Sequence, residues 1–235
     1  MLHKLAMLVL AVSTAGCAVR PYSDASAFAE RTGANSFEVF DRDLDAPDTL
    51  VLPVVHDRQT SGPSCGAHAL ASVINYWRDA PAVSGTEIYA GTPPARPAGY
   101  SLAELTALAH ENGLLASPVR MPSEGLVQEL ERGRPVLIPV RIPSVYIQQR
   151  TLPGSAIPLV GTLRNSVIDR AAWLSEQGET GLIDHYLLVV GYEGDTFVVV
   201  EPVRGYRTIS RERLSRYRTA FGEAAIVFSA SPGGA

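Results

Sequence analysis

The sequence predicts an α+β fold, and three observations carry that prediction. Apolar residues in the first half recur at helical spacing, runs in the second half are strand-like, and the helical stretches precede most of the strands instead of alternating with them. Composition agrees: 46% hydrophobic and 19% charged residues in a chain of 235 suit one globular domain with a continuous core. The net charge of −4 comes without a concentrated basic patch, which argues against nucleic acid as a partner.

The chain opens on a stretch of different character. Lys4 supplies a positive charge, Leu5 to Val12 a short apolar run, and Ser13-Thr14-Ala15-Gly16 the small residues that a signal peptidase needs. The run is too short to span a bilayer. Cys17 follows, so Thr14-Ala15-Gly16-Cys17 resembles the lipobox of bacterial lipoproteins, in which the cysteine is lipidated and becomes the new N-terminus. Ala18 after it resembles the pattern of outer-membrane lipoproteins. The expected organisation is therefore a signal peptide over residues 1–17, a tether over 18–49 and a globular domain over 50–230. That places the protein in the bacterial cell envelope, lipid-anchored to the outer membrane and facing the periplasm.

Within the domain, Leu50 to Val55 reads as a first strand. A loop, Ser61-Gly62-Pro63-Ser64, leads into a helix that opens at Cys65 and carries Leu70, Val73, Ile74 and Trp77 at helical spacing, the pattern of a buried amphipathic helix. Ser101-Leu102-Ala103-Glu104 is a capping box for a second helix through His110, ended by Gly113. Ser123 caps a third, short helix with Leu126 and Leu130 facing inward. Strands are expected over 135–140, 186–190 and 196–200, the last two joined as a hairpin through Gly191 to Asp195. Two more, at 206–209 and 224–228, flank a charged helix that starts near Ser210. Between Arg141 and Asp184 no strand signal stands out. Asn165 to Gln177 reads as a helix with Val167, Ile168, Ala171 and Leu174 on one face. So long an element is either a lid or specificity insert, or a surface excursion.

Two cysteines are present, and lipidation of Cys17 leaves Cys65 as the only thiol in an oxidising compartment. A thiol kept free there is more often reactive than structural. Its position at a helix N-terminus favours the thiolate, because the helix dipole is positive there. A base must come from elsewhere in the fold. Of the five histidines, His3 lies in the leader and His56 precedes the loop. His68 shares the helix of Cys65 and reads as packed or hydrogen-bonded, and His110 as exposed. His185 begins a strand ahead of the apolar run Tyr186 to Val190, which suits a site between a helix and a sheet. Gln59, in the preceding loop, is a candidate oxyanion donor together with the Cys65 N–H; the alternative is a loop glutamine in water. The histidine spacing offers no metal-ligand set, and no cofactor is expected.

Gln59-x5-Cys65-Gly66, the Ala-Leu-Ala-Ser-Val-Ile-Asn-Tyr-Trp helix, and His185-Tyr-Leu-Leu-Val-Val-Gly-Tyr resemble the bacteriocin-processing, or double-glycine, peptidase family. The resemblance spans roughly residues 50–228. It implies a papain-like fold, with the nucleophile helix packed on an antiparallel sheet, and a Cys-His-Asp triad with an oxyanion-hole glutamine. The third member usually comes from an Asp-Pro after the histidine's hairpin; Glu201-Pro202 stands there in this sequence. The expected chemistry is peptide-bond cleavage by a Cys65-His185-Glu201 triad with Gln59 at the oxyanion, acting on a peptide or protein substrate. No transporter helices and no Gly-rich nucleotide loop accompany it, so leader processing during export is not implied. Two alternatives remain open: another papain-like acyl transfer, such as amidase or transglutaminase chemistry, and a degenerate module that binds a peptide or envelope partner in the old cleft.

Overall fold

Among the described residues seven strands, β1 (Thr49–Val51), β2 (Leu114–Arg120), β3 (Val136–Pro143), β4 (Leu182–Glu193), β5 (Thr196–Glu201), β6 (Gly205–Ser210) and β7 (Ala224–Ala230), form one antiparallel sheet in the order β2-β7-β3-β4-β5-β6, with β1 paired to β4. The computed structural model describes residues 49–60, 62–147 and 158–230, the side chains of 49 and 158–165 excepted; the leader, Cys17 and the tether as far as 48 lie outside the described residues. The helices are α1 (Cys65–Arg78), α2 (Gly85–Gly91), α3 (Leu102–Glu111), α4 (Ser123–Glu131), α5 (Pro158–Gly178) and α6 (Arg211–Arg218). The expected α+β architecture, with the helix of Cys65 packed against the sheet, is the one found.

β4 organises the sheet. Its first part pairs with β3, from Leu182↔Pro143 to Val189↔Val136, and its last residues pair with β1, where Gly191 lies opposite Val51. A bulge between Val189 and Gly191 shifts its register against β5. Residues on both faces of β3, β4 and β5 are buried, as central strands covered on two sides must be. α1 packs against β4, and α6 against β3. Each central strand outruns its apolar signal. β4 begins at Leu182, so His185 sits inside the strand rather than at its start, and the strand continues through Gly191 to Glu193. The hairpin to β5 is the two-residue loop Gly194-Asp195, with Gly194 at φ 51°.

α1 departs from the amphipathic expectation. Every residue from Cys65 to Tyr76 is buried, and only Trp77 and Arg78 emerge, so the helix is enclosed all round. The capping box of α3 forms as read, with the Ser101 hydroxyl accepting from Glu104 N–H. A second one, Ser84 with Glu87, starts α2, a helix the sequence reading missed although Ser84-Gly85-Thr86-Glu87 carries the same signature. Ser123 does not cap α4: it is the first helical residue, buried, and its hydroxyl meets Ser215 Oγ at 2.9 Å, while Leu126 and Leu130 are fully buried as expected. β2 was also unread, and the first strand ends at Val51 rather than Val55.

In the stretch between Arg141 and Asp184, β3 runs on to Pro143, a 3-10 turn (Ser144–Tyr146) follows it, and α5 occupies much of the rest of the described residues. The apolar face expected on α5 does not point inward: Val167 is 69% and Leu174 55% exposed, and Ala172 is the residue that is buried. The end of α5 is tied to α6 by Glu176, which accepts from the Tyr217 hydroxyl and the Arg216 guanidinium.

Candidate active site

The loop before α1 delivers Cys65 as its first helical residue. Ser64 stands at the N-cap without a side-chain cap bond, and the first turn carries no acidic residue. The positive end of the helix is thus not neutralised by a neighbouring carboxylate, a setting in which a thiolate is favoured. Gly66 allows the close packing around it, since a Cβ there would lie 3.1 Å from Leu105 and 3.2 Å from Tyr186.

His185 projects from β4 onto this helix end. Its Nε2 lies 2.7 Å from Glu201 Oε1, with both side chains buried. The Cys65 thiol lies in the influence of the same imidazole, and with Nε2 engaged by Glu201 it is Nδ1 that is left for sulfur. Burial pushes the Cys65 thiol up, but the hydrogen bond and charge of His185, with N–H groups of Tyr186 and Gly66, bring it below its ordinary value. Burial pushes His185 down, yet hydrogen bonds and charges from Cys65 and Glu201 hold it at about 9. Glu201 is likewise pushed up by burial and drawn below its usual value by His185 and two backbone N–H groups. All three directions favour the charged forms, thiolate, imidazolium and carboxylate, each supported by its neighbour.

Glu201 is placed by a tight turn. It ends β5, Pro202-Val203-Arg204 make the connection, and Arg204 N–H returns to the Glu201 carbonyl at 3.2 Å. Proline at the second position of such a turn is pre-set in φ. The carboxylate accepts from Val203 N–H on Oε1 at 2.9 Å and from Arg204 N–H on Oε2 at 2.6 Å. A strand-end glutamate is thereby converted into a buried, fully bonded one.

Gln59 is buried too, and its backbone N–H donates to the Pro202 carbonyl at 2.8 Å, which joins its loop to the turn that carries Glu201. One N–H of its side-chain amide donates to Gly62 O at 2.5 Å, while Oε1 is buried without a hydrogen-bond partner. Cys65, His185 and Glu201 are brought into a single string, and Gln59 joins it through Pro202.

The other histidines separate cleanly. His68 is buried on α1 and its Nδ1 contacts the Asp57 carboxylate, which also accepts Gly85 N–H at 3.0 Å. His110 is exposed, with Nε2 2.9 Å from Ala116 O. His56, which no sequence signal singled out, lies 2.8 Å from Pro202 O. A groove of about 800 Å³ opens where α5, α6 and the start of β4 meet, with Glu176, Tyr217 and Asp184 in its walls. The stretch before His185 thus contributes a wall to this groove, while His185 itself, next to Asp184 on the strand, points to the opposite face. Among the described residues no group of three or more His, Cys, Asp or Glu side chains is placed to hold a metal ion.

No protein-family model matches the chain, and no curated protein sequence matches it. Solved structures do. A protein from Bacillus anthracis described as a C39-like peptidase is similar at TM-score 0.53 and 14% identity, over 77% of this chain and 97% of that one. At that identity the likeness is one of fold, and it shows the fold of this chain to be that of the C39-like, papain-like peptidases. Two further structures are similar at lower scores. A double-glycine motif protease from an AMS/PCAT transporter, crystallised with its leader peptide, gives TM-score 0.45 and 16% identity over 74% of this chain and 89% of that one. The peptidase domain of Streptococcus ComA gives 0.47 and 15% over 74% and 96%.

Proposed function

We propose that this protein is a cysteine peptidase, exported and held to the envelope by a lipid on Cys17, with Cys65 as nucleophile. The observation that carries the reading is the buried string of Cys65, His185 and Glu201 at an uncapped helix N-terminus. In the reaction the Cys65 thiolate attacks a peptide carbonyl and forms a tetrahedral adduct. The Cys65 backbone N–H and the second amide N–H of Gln59 stabilise its oxyanion. The His185 imidazolium gives its proton to the leaving amine, so the C–N bond breaks and a thioester remains. Water, deprotonated by the now neutral His185, attacks the thioester; the C–S bond breaks, the carboxylic acid leaves, and the thiolate and imidazolium are restored. Glu201 holds Nε2 throughout, which keeps Nδ1 facing sulfur and stabilises the imidazolium.

A fluorescence-quenched peptide library tests the activity. The wild type is expected to cleave members of it and Cys65→Ala none, with the fold retained by circular dichroism. A wild type that reacts with a thiol-directed peptide probe yet hydrolyses nothing would replace the peptidase by a binding module or another acyl transferase.

A further inference from the structure

We propose that His56 is a positioning residue for this site, acting on Glu201 through the peptide unit between Pro202 and Val203. The inference rests on the catalytic reading above. His56 Nε2 lies 2.8 Å from Pro202 O; a carbonyl only accepts, so Nε2 carries the proton and donates it. The N–H of that same peptide unit belongs to Val203, and it donates to Glu201 Oε1 at 2.9 Å. Glu201 Oε1 in turn accepts from His185 Nε2 at 2.7 Å. Because a peptide unit is planar, whatever fixes its carbonyl also aims its N–H. A line of donors and acceptors therefore runs from the His56 ring through one peptide plane and one carboxylate oxygen to His185 and Cys65. From His56 to the carboxylate each bond polarises the next, and His185 donates to the same oxygen from the other side.

The same carbonyl serves a second client. Gln59 N–H donates to Pro202 O at 2.8 Å, so both of its lone pairs are taken and the oxyanion donor and the acid of the triad hang from one atom. Without His56 the plane loses one of its two anchors, and Val203 N–H is free to tilt away from Glu201. The geometry around His56 is built for this approach. Gly205 has φ +77°, a conformation that favours glycine, and a Cβ there would lie 3.3 Å from His56 Nδ1, a tight contact with the ring. One residue further along β6, the Tyr206 hydroxyl donates to Val54 O and pins the backbone just ahead of His56. The ionisable groups facing Glu201 are His185, from β4, and Arg207, from β6, which lies in the field of the carboxylate; Arg204 acts on Arg207 in turn.

The test uses the full chain and three variants. His56→Phe fills the space without a donor, His56→Gln supplies an amide N–H in its place, and His56→Ala removes both. Two readouts are taken: kcat and KM on a cleaved peptide, and the pH midpoint of Cys65 alkylation by iodoacetamide. A positioning role predicts that His56→Phe and His56→Ala lower kcat about tenfold at unchanged KM, the effect of roughly one weakened hydrogen bond in the transition state. It also predicts an alkylation midpoint moved up in pH, because a less well-oriented Glu201 supports the imidazolium less, and a return toward wild type in His56→Gln. A wild-type midpoint in a folded His56→Phe or His56→Ala, with or without a loss of thermal stability, overturns the proposal. If neither of those folds, His56→Leu takes their place: a folded Leu variant with the wild-type midpoint overturns the proposal, and one with a raised midpoint that His56→Gln brings back supports it. The midpoint needs no substrate, so a wild type that hydrolyses no peptide would sink the peptidase reading while still judging His56.

Discussion

Glu201 is the residue at which the chemistry is most exposed to test. Its Oε1 holds His185 and Val203 N–H, and its Oε2 holds Arg204 N–H. Glu201→Gln keeps the shape but turns an amide NH₂ against one of those donors and removes the charge under the imidazolium. A fall in kcat on the order of 10²–10⁴-fold is expected, as when the acid of a triad is amidated. Glu201→Asp keeps the charge and withdraws it by one methylene, which places its activity between wild type and Glu201→Gln in steady-state kinetics. The ion pair has its own test. In Cys65→Ser the hydrogen bond and charge that raise His185 are weakened while burial, which lowers it, persists, so its NMR titration should move well below about 9. For the wild type the sign follows from the two directions together. Thiolate is present above the lowered Cys65 value and imidazolium is lost as pH rises through about 9, so kcat/KM should be bell-shaped with its alkaline limb there. Its acid limb should lie below the range of an ordinary thiol, and iodoacetamide should label Cys65 faster than a free thiol at pH 6.

At the scale of elements, α1 and β4 hold the site between them, and β4 is the more sensitive. Its residue Gly191 lies so close to β1 that a Cβ would come within 2.3 Å of Leu50 O and 2.9 Å of Val51 Cα, both backbone atoms unable to move as a rotamer does. Gly191→Ala should therefore destabilise the fold by about 1–3 kcal/mol in urea titration by forcing β1 away from the sheet. On α1, Ile74 is fully buried, and Ile74→Ala should cost about 2–5 kcal/mol. Elements were legible where a local signal sufficed. The Ser101 and Glu104 box starts α3 because two side chains and two N–H groups three residues apart satisfy one another. The inward face of α5 was not legible, because which side of a helix is covered depends on neighbours far away in sequence, here α6 through Glu176.

At the scale of the whole molecule, the catalytic unit is read as one end of a longer arrangement, with a lipid on Cys17 and a tether up to residue 49. In its bacterial host the wild type should partition with membranes, and Cys17→Ser should appear in the soluble fraction or remain an uncleaved precursor, with the Cys65 chemistry unchanged. Membrane fractionation with mass spectrometry of the N-terminus checks this; a wild type recovered soluble and without a lipid would remove the anchor from the proposal.

The sequence by itself determined the fold class, the helix that opens at Cys65 and the candidacy of Cys65, His185, Glu201 and Gln59. Periodicity and side-chain chemistry are local properties, and a thiol, an imidazole and an amide declare what they can do without neighbours; Glu201 became a candidate through the resemblance of Glu201-Pro202 to the family's Asp-Pro. Only the tertiary structure decided which histidine faces the thiol and how Glu201 is held. His185 and Glu201 are sixteen residues apart in sequence but adjacent through the β4–β5 pairing and the turn at Pro202. His68 sits one turn from Cys65 on the same helix and is bound to Asp57 instead. His56 was invisible as a functional residue because its partner is a backbone carbonyl, and a carbonyl has no signature in the sequence; its meaning comes from the 146 residues that the fold closes between it and Pro202.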